Sequence, residues 1–222
     1  MNSNLAGLLI SYAFIIAILL SVNLAARKQL LRQNTARKII HIGVCHWWLI
    51  AFAMMDSLIW TLIGPVSFII INFLIARYNL IPGMNSSDGR NYGTVYFPVT
   101  LVVLVLAVYR LGMSPFIGGI GVMAMGWGDG MASLIGENIK SPEVKIWGNR
   151  KSLAGSVAMF LFTFAAALIG LLFFGCRVPG ILFGAAAAAA ACGTVFEFIT
   201  PFGLDNITVP VSVSALLFLM VG

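Results

Sequence analysis

Residues Leu5 to Lys38 read LAGLLISYAFIIAILLSVNLAARKQLLRQNTARK: no charge as far as Ala26, then Arg27, Lys28, Arg32, Arg37 and Lys38. A helix of about 20 apolar residues crosses the ~30 Å of hydrocarbon in a bilayer, and a basic cluster directly after it is retained on the cytoplasmic side. The stretch therefore predicts a membrane-spanning helix and its direction. No basic residue stands ahead of the run and no small-residue cleavage site follows closely, so it reads as a retained span and not as a signal peptide.

The rest of the chain repeats the pattern. Of 222 residues, 60% are hydrophobic and 9% charged, with a mean hydropathy of +1.01. Soluble domains carry about 25% charged residues, so a water-soluble fold is excluded, and seven acidic residues are too few for a soluble catalytic domain. Dividing the chain at charged and turn-forming clusters leaves eight apolar runs, near 5–25, 40–55, 58–76, 94–110, 115–136, 153–174, 179–198 and 208–222. The expected fold is an all-α, polytopic transmembrane helical bundle of about eight spans, one unit over residues 1–222. The second and last runs are short, as tilted or partly re-entrant segments are. With the N-terminus outside, eleven of the thirteen Lys and Arg fall inside, leaving Arg110 and Arg177 outside. That asymmetry favours an even number of spans with both termini outside. It also assigns the net charge of +6 to membrane topology and not to a nucleic-acid partner.

Lesser features fit the same picture. Cys45, Cys176 and Cys192 lack C-x-x-C spacing and read as packing residues. The sequons at Asn85 and Asn206 fall on the inner side, where no glycan is added. The alanine run Ala185 to Ala191 lets helix backbones approach, which places the seventh span centrally. Trp47, Trp48, Trp60 and Trp147 lie near span ends, as an aromatic belt does.

The polar residues are not scattered over both faces. Arg37-Lys38-Ile-Ile-His41, Asp88-Gly-Arg90-Asn91-Tyr-Gly93, Gly126-Trp-Gly-Asp129-Gly130, Gly148-Asn-Arg150-Lys151-Ser152 and the Glu197 to Asn206 stretch all fall on the inner side. Five clusters on one face suggest one site. Asp129 is the sharpest signal, because an aspartate at a helix centre costs about 2.5–3.5 kcal/mol in a membrane and faces a cavity or a partner. Gly126, Gly128 and Gly130 would let the helix bend and a ligand reach the backbone, which suits a carboxylate holding a metal-bound phosphate. A structural ion pair is the alternative for Asp129. Arg150 and Lys151 precede the sixth span, where Ser152 can cap the first turn; with the backbone near Gly155 and Ser156 this is an anion site at a helix N-terminus. It is not a Walker A loop, since Arg150 stands where that motif needs glycine before its lysine. Arg37 and His41, four apart, share a helix face with Lys38 beside it. Glu197 and Asp205 bracket a turn containing Pro201 and Gly203, and with Asn206 they could complete a hard-cation site of the Mg²⁺ type.

In order, RKIIH (37–41), YGTVYFP (92–98), GDGMASLIG (128–136), RKSLAGS (150–156) and E-x7-DN-x3-P (197–210) resemble the motifs of the CTP-dependent polyprenol kinase family, which includes dolichol kinases, phytol kinases and a CTP-using diacylglycerol kinase. Ala154 departs from the pattern, since many members carry glutamate there. The resemblance implies transfer of the γ-phosphate of CTP, with Mg²⁺, to the hydroxyl of a membrane lipid alcohol. It further implies a site on the cytoplasmic face. Asp129 would hold the metal with Asp205 or Glu197. Arg37, Lys38, Arg150 and Lys151 would grip the triphosphate, with Arg90, Asn91, Gly128, Gly130, Ser152, Gly155, Ser156 and Asn206 lining the nucleotide. The hydroxyl proton would pass to Glu197, Asp129 or His41. An apolar groove, with the alanine-rich seventh span as a candidate wall, would take the lipid tail. Two other readings are a CTP:phosphatidate cytidylyltransferase, whose signature before the final aspartate is absent, and a transporter, for which no internal repeat speaks.

Overall fold

The computed structural model describes residues 2–78, 93–174, 176 and 178–222. In chain order these form α1 (Ser3–Arg27), α2 (Gln33–Cys45), α3 (Trp47–Met54), α4 (Leu58–Tyr78), α5 (Gly93–Leu111), α6 (Pro115–Met123), a π-helical turn (Ala124–Asp129) and α7 (Gly130–Asn138). A hairpin of β1 (Glu143–Ile146) and β2 (Asn149–Ser152) follows, then α8 (Leu153–Phe173), α9 (Pro179–Ile199) and α10 (Asp205–Val221). Among the described residues the fold is all-α apart from that hairpin.

Five helices, α1, α4, α5, α8 and α9, are long and apolar enough to cross a membrane, and α10 is a shorter apolar helix. Two expected spans are instead built from pieces. The run at 40–55 is divided at His46 and continues back to Gln33, because the segment bearing Arg37, Lys38 and His41 is itself an amphipathic helix. The run at 115–136 is interrupted by the π-helical turn, an inserted residue per turn of the kind often found at functional sites.

Local chemistry sets the ends. The Asn2 side chain accepts from the Asn4 N–H to cap α1, and Ser114 caps α6 with Pro115 in the first turn. At the end of the bundle where α1 begins, Asn4 Nδ2 donates to Asp56 Oδ1 at 2.7 Å, and the Asp56 N–H returns a bond to Asn4 Oδ1 at 3.1 Å. Pro65, Pro98 and Pro210 sit inside helices, tolerated in membranes because neighbouring groups satisfy the freed carbonyls.

The core lies where α8 packs on α7 and α9 and where α10 packs on α9, α5 and α6. Ala185, Ala186, Ala189 and Ala190 are fully buried there, as close helix approach requires. Two of the four tryptophans depart from the expected belt. Trp47 and Trp48 are each 2% exposed, and the Trp48 indole N–H donates to the Pro115 carbonyl at 2.9 Å. They are core residues because α3 is enclosed, not peripheral.

The hairpin is the other departure, since 140–151 reads as a plain loop in the sequence. Its turn places Trp147 and Gly148 at φ of 50° and 87°, the two positive values a two-residue hairpin turn demands. The exposed Trp147 indole N–H donates to the Ile199 carbonyl at 3.1 Å and ties the tip to the end of α9.

Candidate active site

One cavity of about 1150 Å³ gathers most of the sequence candidates. Arg37, Lys38 and His41 reach it from α2; Asp129 and Gly130 from the π-helical turn and α7; Arg150, Lys151, Ser152, Gly155 and Ser156 from the hairpin and α8; Glu197, Asp205 and Asn206 from α9 and α10. Arg90 and Asn91 lie outside the described residues. Gly128 does not line the cavity. A Cβ there would lie 2.5 Å from Thr163 Oγ1 and 2.7 Å from Met159 Sδ, so this glycine admits α8.

The other glycines of the motif also serve packing. A Cβ on Gly126 would meet Cys45 Sγ at 2.3 Å, and one on Gly130 would meet Ile42 Cγ1 at 2.5 Å. They bring α2 against the π-helical turn, which sets Arg37, Lys38 and His41 opposite Asp129, while Gly130 also lines the cavity.

The start of α8 is built differently from a free anion site. The Gly155 N–H donates to Ser152 Oγ at 3.1 Å, confirming the cap, but the Ala154 N–H donates to Ser141 Oγ at 3.0 Å and the Leu153 N–H to the Pro142 carbonyl at 2.9 Å. Those three donors are already taken, so what this corner offers a ligand is side-chain charge and the helix dipole. Gly155 also lies against α7, where a Cβ would approach the Ala132 carbonyl oxygen to 2.9 Å.

Three cations at the mouth are each paired with a carboxylate. Lys38 bonds to Glu137, Lys151 to Glu197, and Arg150 Nη1 lies 3.8 Å from Glu143 Oε2. Glu197 is 5% exposed, and a buried carboxylate persists only when paired. Burial by itself would push the Lys151 pKa down, but Glu197, Asp129 and Asp205 outweigh it and hold the pKa above the ordinary lysine value. Among the described residues Glu197 is ion-paired and Asp129 is not. His41 Nε2 is buried without a hydrogen-bond partner among the described residues, its ring 4.8 Å from that of Phe97. His46, by contrast, is satisfied: Nδ1 bonds to the Ile42 carbonyl at 3.0 Å, and the Trp127 indole N–H donates to Nε2 at 3.2 Å.

Among the described residues no three His, Cys, Asp or Glu side chains come together as a preformed metal cage. Asp129, Glu197 and Asp205 nevertheless share the cavity. That donor set fits a cation which takes one or two carboxylates and completes its shell with phosphates and water, as Mg²⁺ does.

Sequence reasoning missed Glu137, Glu143 and Ser133, all on the cavity wall. Asp129, Ser133 and Glu137 recur at i, i+4 and i+8, a one-face spacing that was available as a signal. It also missed where the groove lies. The apolar arm of the cavity runs between α1 (Ile15, Leu19), α4 (Gly64, Pro65, Phe68, Ile71) and α5 (Phe97, Pro98, Leu101). The alanine-rich stretch of α9 is buried in the core instead and takes no part in it.

No protein-family model and no solved structure matches the chain. Among curated proteins it is similar to "Phytol kinase" of Synechocystis sp., 29% identical over 87% of this chain and 82% of that protein. It is also similar to "Probable phytol kinase 1, chloroplastic" of Oryza sativa, 27% identical over 88% and 67%. "Probable phytol kinase 2, chloroplastic" of Glycine max is 27% identical over 87% and 68%. These relatives each align over nearly nine tenths of the chain, and they support the resemblance to a polyprenol and phytol kinase-like family.

Proposed function

We propose that this protein is an integral membrane kinase that transfers the γ-phosphate of CTP to the hydroxyl of a lipid alcohol at the cytoplasmic face of an eight-span bundle with both termini outside. The observation that carries the reading is the single cavity in which a charged mouth continues into an apolar arm. A water-soluble triphosphate and a membrane-soluble alcohol can meet only where such surfaces join.

In this reading Arg37, Lys38, Arg150 and Lys151 neutralise the phosphates, assisted by Ser152, Ser156 and Asn206, and Asp129 with Asp205 or Glu197 holds the divalent cation. Mg²⁺ would supply charge neutralisation across the phosphates, which in phosphoryl transfer is most of catalysis along with positioning. The alcohol oxygen bonds to the γ-phosphorus as the bridging bond to the β-phosphate breaks, and CDP leaves with that electron pair. The hydroxyl proton passes to Glu197, Asp129 or His41.

Purified protein with γ-labelled CTP, Mg²⁺ and a panel of lipid alcohols tests this. Label on an alcohol with release of CDP is expected. Release of pyrophosphate would replace the reading by cytidylyl transfer, and label on no alcohol from folded protein would end it.

A further inference from the structure

The hairpin that carries Arg150 and Lys151 is small, two strands of four residues each, and a two-stranded hairpin by itself is marginally stable. Its place at the mouth therefore depends on what holds it. The base is joined to α8, where the Leu153 and Ala154 N–H groups donate to the Pro142 carbonyl and to Ser141 Oγ. The middle is held to α9 by the Lys151–Glu197 pair. The tip is held to the same helix by the Trp147 indole N–H on the Ile199 carbonyl, an acceptor in the last turn of α9, where carbonyls lack a partner within the helix.

The tip is strained. Trp147 stands at a φ of 50°, a left-handed conformation that a bulky residue adopts at a cost and that Asn or Gly adopts readily. Trp147 is also 66% exposed, so what the ring gains in this position is the hydrogen bond and not burial. Neither Trp147 nor Ile199 lines the cavity. A ligand in the mouth can reach the Lys151–Glu197 pair, but it leaves the bond at the tip untouched.

We propose that Trp147 is a positioning residue: its bond to the end of α9 keeps the hairpin, and with it Arg150 and Lys151, at the mouth when a phosphate draws Lys151 away from Glu197. The inference rests on the kinase reading above, in which Lys151 takes the phosphates. With the tip released, the hairpin would turn about its base at α8 and carry both cations away from the nucleotide. With the tip held, only the Lys151 side chain has to move.

The test compares the full chain with Trp147→Asn and Trp147→Phe in detergent, using CTP, Mg²⁺ and a lipid alcohol. Trp147→Asn places an Asn-Gly pair at the turn, which favours the same hairpin, and removes the indole. Trp147→Phe keeps an aromatic ring without the N–H. Both should raise the KM for CTP about fivefold, the scale of one lost hydrogen bond, with kcat and the KM for the alcohol within about twofold of wild type. With CTP present, trypsin should cut after Lys145 faster in both. An unchanged KM for CTP in both variants, or a raised one without faster cleavage, overturns the proposal. So does a wild-type KM in Trp147→Phe beside a raised one in Trp147→Asn, which would make the ring an interfacial anchor whose N–H is immaterial. Equal losses in kcat and both KM values would show a merely structural role and overturn it too. If one variant does not fold, the other decides. Labelling of no alcohol by wild type is failure of the kinase reading; cleavage then judges the tie alone, and equal rates in all three proteins overturn it.

Discussion

The charged mouth and the apolar arm belong to one cavity but are held together by opposite means. At the mouth, opposite charges from different elements pair: α2 with α7 through Lys38 and Glu137, the hairpin with α9 through Lys151 and Glu197, and β1 with β2 through Glu143 and Arg150. In the arm, α1, α4 and α5 are joined by neutral hydrogen bonds and aromatic packing. The Lys151–Glu197 pair, already largely withdrawn from water, can change partners when an anion and its cation arrive without first being stripped of water. Neutral hydrogen bonds between helices offer no such exchange. The difference separates a surface made to rearrange around a ligand from one made to keep its shape.

The largest way to break that contrast is at the buried pair. Lys151→Ala leaves the Glu197 carboxylate buried and uncompensated, which should destabilise the protein by about 3–5 kcal/mol, read as a lowered melting temperature in detergent. Replacing both partners with apolar residues of similar volume should restore the melting temperature but not the activity. The sign of the pH dependence follows from the raised Lys151 pKa: the stabilisation is complete below the ordinary lysine value and is lost as pH rises through the elevated one.

Asp129→Asn should separate chemistry from structure. With no ion pair to lose among the described residues, the fold should keep its melting temperature, while kcat falls by about 10²–10³-fold, the scale for removal of one electrostatic contact to a transition state. Steady-state kinetics with saturating alcohol check it. A smaller effect is expected in the arm, where Tyr12→Phe removes one neutral hydrogen bond worth about 1 kcal/mol and should leave the nucleotide KM unchanged. The smallest structural effect belongs to Arg150→Ala. Its side chain is 81% exposed and its carboxylate partner lies 3.8 Å away, so the melting temperature should hold. The nucleotide KM should nevertheless rise, and by less at high salt than at low.

Much of the mouth was legible because its residues break a strong rule. Charges are rare in an apolar chain, so Asp129, Lys151 and Glu197 stood out against their surroundings, and the basic asymmetry assigned them to one side. The arm gave no such signal. Ile15, Gly64 and Leu101 are ordinary residues of apolar helices, and nothing in their spacing says whether a face meets lipid, core or a cavity. The alanine run misled for the same reason, since small residues allow either a groove or a tight contact. Glu137 and Glu143 resemble solvated loop charges until α2 and the hairpin bring cations to them. The glycines around Asp129 read as an opening for a ligand, and only the positions of Cys45, Ile42 and Met159 show that they also seat neighbouring helices.

Composition and charge by themselves determined that the chain forms apolar helices and that its polar side chains gather toward one end, because transfer of charge into hydrocarbon is costly wherever it occurs along a chain. Which helices touch was decided by tertiary packing alone. That choice depends on shape at each contact, and it set the glycine seams, the pairing of Lys151 with Glu197, the hairpin tied to α9 and the Tyr12–Ser67 link between α1 and α4.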